Sequence, residues 1–198
     1  MCSRYDLDRS AASLTARFRL GRPPPAVPDG LRRPTDPALV VEWDGQGNRQ
    51  AVVLRWGIRA SWDSKPLINA RAETLRERKT FRPLLMKRCL VPATGYFEWQ
   101  GTGTRRIKYR IVPAEMDGFA FAGLRDGDSF VIVTCAPASA ISHIYDRMPV
   151  ILDPTAEGDW IDSDKPFADV APLLVPYRAG PLLATTDSVA AAQGDLFG

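Results

Sequence analysis

Apolar and polar positions along the chain fall mostly into short runs with the alternating or continuous apolar character of β-strands. LVVEW (39–43) and AVVLRW (51–56) are two such runs. They are separated by DGQGN, whose Asp44-Gly45 and Gly47-Asn48 pairs suit a hairpin turn. RCLVP (88–92), GYFEW (95–99), IKYRIV (107–112), FAFAGL (119–124), SFVIVTC (129–135) and PVIL (149–152) follow as strands, with GTGT and RDGD as turns between neighbours. Helical signals are fewer. AETLRERKT (72–80) places a Glu at its start and bases at its end, the order that complements a helix dipole, and predicts a short helix. TAEGDWI (155–161) opens with Thr155 as an N-cap, and FADVAPLL (167–174) holds another short turn before a loose tail over 186–198. Residues 21–37 carry six prolines and read as a proline-rich surface loop. The pattern predicts an α+β fold: one domain over 1–198, a mainly antiparallel, barrel-like β core and a few short helices.

Composition adds limits. At 198 residues, 45% hydrophobic and 25% charged, the chain can bury a core without disulfides or a structural metal. The polar start MCSRYDLDRS does not read as a signal peptide, and no apolar stretch of roughly 18 residues is present, so a cytoplasmic protein without membrane contact is expected. Cys2, Cys89 and Cys135 are odd in number and widely spaced, which suits reduced thiols. With a single histidine they give no metal-ligand set, so no metal or organic cofactor is expected. Net charge is only +3 but unevenly placed. Arg71–Arg88 carries seven basic residues against Glu73 and Glu77, whereas Asp153–Asp169 carries six acids against Lys165. This fits either a phosphate-attracting face or two solvated surfaces of opposite sign.

Four segments carry candidate chemistry. Removal of Met1 leaves Cys2 with a free α-amine, a 1,2-aminothiol. The amine has a reference pKa of roughly 7.7–8.0 and the thiol about 8.5, so both are nucleophiles near neutral pH. With an aldehyde such a residue forms an imine and then closes to a thiazolidine. In PLINARAET (66–74), Asn69, Arg71 and Glu73 alternate, and in an extended segment they share one face. The amide and guanidinium donors suit a sugar-phosphate backbone, although a salt-bridged surface strand has the same pattern. Glu98 lies between Phe97 and Trp99 in RCLVPATGYFEWQ (88–100), either as a buried acid/base with a raised pKa or as an exposed position on an edge strand. ISHIYDRMPVIL (141–152) holds the only histidine, His143, followed by Tyr145, Asp146 and Arg147. Trp56, Trp62 and Trp99 are either core residues or stacking platforms for bases.

Taken in order, MCSR, WGIRASW, INARAET, RCLVPATGYFEW and DRMPVIL resemble the SRAP family, the SOS-response-associated peptidase domain proteins that shield abasic sites in DNA; the match spans most of residues 1–152. The resemblance implies that Cys2 is the nucleophile, that Asn69 and Arg71 position the abasic sugar and its phosphates, and that Glu98 serves as acid/base. It implies a partner, single-stranded DNA with abasic sites, along a groove lined by Arg4, Arg71, Trp62 and Arg147. It also implies self-removal of Met1, a covalent thiazolidine crosslink, and in some members strand cleavage or crosslink reversal. A nucleoid-associated monomer is the expected form.

Three departures stand out. The family histidine usually stands immediately before the Asp-Arg-Met-Pro run, but Tyr145 occupies that position and His143 lies two residues earlier. In a strand the two would share a face, making His143 or Tyr145 the replacement. Ser3 stands where many members have Gly, and GLRRPTDPALVV replaces the family's Tyr-Asn-x-Ala-Pro segment. Two other classes of function remain open on the residues alone: a thiol peptidase using Cys2, and a non-catalytic DNA-binding module.

Overall fold

A computed structural model of the chain describes residues 2–27, 30–101 and 106–186. In chain order the elements begin with β1 (Tyr5–Leu7), α1 (Ala11–Phe18), β2 (Gly30–Arg32), β3 (Pro37–Trp43), β4 (Arg49–Trp56) and β5 (Asn69–Arg71). Then come β6 (Arg88–Ala93), β7 (Gly95–Gln100), β8 (Ile107–Pro113), β9 (Phe119–Asp126), β10 (Ser129–Cys135) and β11 (Met148–Pro149). Two short helices, α2 (Glu157–Ile161) and α3 (Phe167–Val170), precede β12 (Leu182–Thr186). Among the described residues no helix is long and apolar enough to cross a membrane.

The strands form two sheets. One closes on itself in the order β10-β4-β3-β6-β9 and back to β10, which is the barrel-like core expected. Closure leaves few free edges. The second half of β10 takes new neighbours, β5 in parallel on one side and β11 in antiparallel on the other. The other sheet runs β12-β8-β7-β1-β2. Tyr5 of β1 joins the two, its ring meeting Trp56 edge-on at 5.2 Å and Phe121 at 5.8 Å between centroids. Such pairs add about 0.5–1.5 kcal/mol beyond their buried area.

The 39–56 hairpin forms as its sequence predicts. Asp44 Oδ1 accepts from the N–H groups of Gln46 (2.7 Å) and Asn48 (3.1 Å), while Gly45 and Gly47 take φ of 80° and 84°, values open to glycine. Other expectations change. Residues 72–80 form only a 3₁₀ turn at Ala72–Thr74 and loose turns after it, because Leu75 is the one fully buried side chain of the segment and no apolar stripe secures a helix. Thr155 turns back to Asp153 and leaves Ala156 to begin α2. The proline-rich segment is not all loop, since β2 pairs with β1 and buries Arg32.

Sequence patterning passed over α1, capped by Ser10 and anchored by Leu14 and Phe18, and also β12, which pairs with β8. Within the expected GTGT turn, 102–104 lie outside the described residues, as does the expected tail from 187 onward. The opposed charge runs meet in part. Arg88 is buried and donates to the carbonyls of Leu85 (2.7 Å) and Lys165 (2.8 Å), and also to those of Trp160 and Asp162, so the basic run ties down the acidic one.

Candidate functional site

The site begins at Cys2, just before β1. Its side chain is fully buried, and its backbone carbonyl accepts a 2.7 Å hydrogen bond from Asn69 Nδ2. Asn69 reaches it because β5 is held in register against β10, with Asn69 opposite Ile132 and Arg71 opposite Thr134. The Cys2 thiol lies 3.7 Å from the Arg4 carbonyl. Burial, and then the negative charge of Glu98, push this thiol well above its usual range, so it rests protonated.

Glu98 is 2% exposed, which settles the choice between buried acid and exposed edge position. Its strand, β7, is interior to its sheet, flanked by β8 and β1, with Glu98 opposite Tyr109. Burial raises its carboxyl to about 7, assisted by Asp146 and opposed by Arg106. A group at that pKa gives and takes protons equally well at neutral pH. Cys2, Asn69 and Glu98 are therefore gathered from positions 2, 69 and 98 into one electrostatically coupled cluster.

The alternation expected for Asn69, Arg71 and Glu73 holds only for the first two. Glu73 leaves the strand in the 3₁₀ turn and forms a two-pronged ion pair with Arg147, 2.8 and 2.9 Å. Arg147 Nη2 also donates to the Thr134 carbonyl at 2.8 Å. The pair braces both neighbours of β10, and this commits two donors of Arg147 within the protein. Arg71 is exposed and forms no ion pair among the described residues. Arg4 lies over the Trp99 ring at 5.1 Å, with Arg106 over the same ring at 5.9 Å, a cation–π arrangement that leaves positive charge beside Glu98. Trp62 is 68% exposed in a turn, whereas Trp56 is fully buried with its Nε1 bonded to the Ile68 carbonyl.

Tyr145 is half-buried, and its hydroxyl pKa is raised by burial and by the charges of Asp146 and Glu98. It belongs to the cluster. His143 lies in the turn after Ser139–Ile141, with an exposed side chain, while its carbonyl accepts from Gln100 Nε2 at 3.0 Å. The segment is a turn and not a strand, so the shared face expected for these two residues does not form. Sequence reasoning passed over Arg106 and Asp146 as site residues. Their only signal was position, one before β8 and one beside the Arg-Met-Pro run.

The chain is similar to known proteins in sequence and in fold. The abasic site processing protein YoqW of Bacillus subtilis is 34% identical over 202 residues, covering 90% of this chain and 88% of its own. The abasic site processing protein YedK of Escherichia coli is 33% identical over 116 residues, 54% of this chain and 52% of its own. Crystal structures of a Bacteroides thetaiotaomicron protein and a Bordetella bronchiseptica protein superpose with TM-scores of 0.80. The first is 26% identical and covers 93% of this chain and 91% of that one; the second is 25% identical, covering 93% and 99%. With residues 1–190 matching the family model for SOS response associated peptidase, the chain belongs to the SRAP family.

Proposed function

We propose that this chain, after removing its own Met1, binds single-stranded DNA at abasic sites and forms a covalent thiazolidine through Cys2. The observation that carries this reading is the placement of Glu98, a buried carboxyl with pKa about 7, in electrostatic reach of the Cys2 thiol. Names of the relatives give abasic-site processing as their work, and the same chemistry suits these residues.

The open-chain sugar of an abasic site presents an aldehyde. The Cys2 amine adds to its carbonyl carbon, and protonated Glu98 delivers a proton as the hydroxyl departs as water, leaving an imine. The nitrogen still carries one proton, so this imine is an iminium ion; Glu98, now ionised, accepts the thiol proton, sulfur bonds to the iminium carbon as the C=N electron pair returns to nitrogen, and Glu98 ends protonated as it began. The sum is amine, thiol and aldehyde converted to thiazolidine and one water. Holding the thiol protonated until the imine exists keeps sulfur from reacting alone, and favours the amine as first nucleophile. That order argues against a thiol peptidase, in which a thiolate must be ready before substrate arrives. Asn69 fixes the Cys2 carbonyl and with it the direction of the amine. Arg4 and Arg71 offer charge to phosphates, Arg147 orients Asn69 and Arg71 through Glu73 and Thr134, and Trp62 offers a face to a base.

The test is denaturing electrophoresis of Met1-processed protein incubated with single-stranded DNA containing one abasic site. A shifted species that is lost in Cys2→Ala, and lost when the α-amine is acetylated, is expected. No such species from processed, folded protein would overturn the proposal.

A further inference from the structure

Glu98 and Gln100 lie two residues apart on β7, so their side chains leave the same face of the strand. On β8, Tyr109 stands opposite Glu98 and Ile107 opposite Gln100, which makes Tyr109 and Gln100 diagonal neighbours on that face. The Tyr109 hydroxyl donates to Gln100 Oε1 at 3.1 Å, and Gln100 Nε2 donates to the His143 carbonyl at 3.0 Å. The two bonds fix each other. A carbonyl only accepts, so the amide nitrogen faces His143, and the amide oxygen is left for the tyrosine, which can donate.

What this amide holds is the turn between β10 and β11. Carbonyls of Ala138, Ser139 and Ile141 accept from N–H groups within the turn itself, and the side chains of Ile141 and Ile144 are buried. The His143 carbonyl is taken instead by Gln100, reaching across from the other sheet. At the far end of the turn Arg147 is bound to Glu73 and to the Thr134 carbonyl. Tyr145 and Asp146 therefore sit between two anchors, one supplied by each sheet. Among the described residues neither side chain forms a hydrogen bond or an ion pair, so the anchored backbone sets where both stand.

We propose that Gln100 is a positioning residue: its amide, oriented by Tyr109, tethers the turn through the His143 carbonyl and so fixes Tyr145 and Asp146 relative to the Glu98 carboxyl. Its part in catalysis rests on the crosslinking role proposed above. The titratable and charged groups around Glu98 are the terminal amine and Cys2 before β1, Tyr96 on its own strand, Arg106 before β8, and Tyr145 and Asp146 on the turn. Burial raises the Glu98 carboxyl most; of the charges, Asp146 raises it further, while the terminal amine and Arg106 lower it. A turn released from Gln100 carries Asp146 away and leaves the lowering charges in place.

NMR titration of the Glu98 carboxyl in the Met1-processed, DNA-free protein tests this, alongside the rate of adduct formation. Gln100→Leu is expected to lower the Glu98 midpoint. Asp146→Asn lowers it too, and the double variant should fall no further than Asp146→Asn alone, because both changes act through one charge. Tyr109→Phe, which frees the amide to turn, should give a smaller shift of the same sign. In the adduct assay Gln100→Leu should be slower by about two- to tenfold, the worth of one hydrogen bond, with its pH profile moved toward acid. An unmoved midpoint in Gln100→Leu, or shifts that simply add in the double variant, would overturn the proposal, as would a loss of stability with midpoint and rate unchanged. A wild type that forms no adduct while Gln100→Leu still moves the midpoint would sink the crosslinking reading and uphold the tether. Should Gln100→Leu fail to fold, Tyr109→Phe with and without Asp146→Asn decides by the same comparison.

Discussion

Replacing Glu98 by glutamine separates what this carboxyl does for chemistry from what it does to the fold. Its pKa is raised from 4.5 to about 7, chiefly by burial. Between those values the folded chain holds a proton on Glu98 that the unfolded chain has released, so the folded state loses stability as pH rises through this window. Below the window both states are protonated and no penalty exists; above it the penalty is complete. At about 1.36 kcal/mol per unit the full loss is about 3 kcal/mol. Glutamine has nearly the same shape and never ionises. The Glu98→Gln protein should therefore match wild type near pH 4 and exceed it by up to about 3 kcal/mol at pH 8, worth about 6–12 °C in Tm for a chain of this size. Urea unfolding at pH 4, 6 and 8 measures the gap. A difference that does not change with pH, or a variant less stable than wild type at pH 8, would refute the claim that burial sets this pKa. The same variant should form the adduct more slowly, since its amide can neither donate nor accept the proton the imine step requires.

Cys2→Ala should leave no species resistant to denaturation, as set out above. Trp62→Ala should change stability by no more than about 0.5 kcal/mol, because the ring is exposed, yet weaken single-stranded DNA binding by about 1–3 kcal/mol in fluorescence anisotropy; unchanged affinity would remove Trp62 from the interface. Gly123→Ala places a Cβ 2.8 Å from Cys89 Sγ and 3.0 Å from Val91 Cγ2 inside the closed sheet, and should cost about 1–3 kcal/mol in urea unfolding. A neutral result would mean that Cys89 moves freely. Tyr145→His should speed release of DNA from the preformed adduct, because imidazole titrates near neutral pH and the Tyr145 hydroxyl, its pKa raised, does not; equal release rates in a chase experiment would sink that assignment.

Much of the fold was legible because the barrel strands are long and apolar. The hairpin of β3 and β4 declares itself by its apolar runs and its Asp-Gly turn, and β6, β9 and β10 by nearly continuous apolar runs. The elements passed over are short or held by distant partners. β2 is three residues long and exists because β1 is beside it, while β12 depends on β8 some 70 residues earlier. For the site, Cys2, Asn69 and Glu98 stood out by chemistry, but their association did not, because it depends on β5 docking against β10. Glu98 illustrates the limit: alternation alone places it opposite Phe97, and only the five-strand neighbourhood reveals that both faces of β7 are covered at that point. Glu73 and Arg147 are 74 residues apart, so no local pattern announces their pairing. The 72–80 helix failed for the reverse reason, a favourable composition with Leu75 alone to anchor it.

The braced seat of Cys2 also has a meaning in time. Its neighbours arrive late: Asn69 and Glu98 follow by many residues, and the arginine that steadies β5 stands at 147. A ribosome adding about 5–20 residues per second needs roughly 7–30 s to travel from Cys2 to Arg147. Contacts so distant in sequence form slowly even after synthesis. Each nascent chain therefore passes through an interval in which its reactive sulfur faces solvent with none of its later companions, open to oxidants and to any stray aldehyde. Completion of the fold is what turns an indiscriminate thiol into a guarded one.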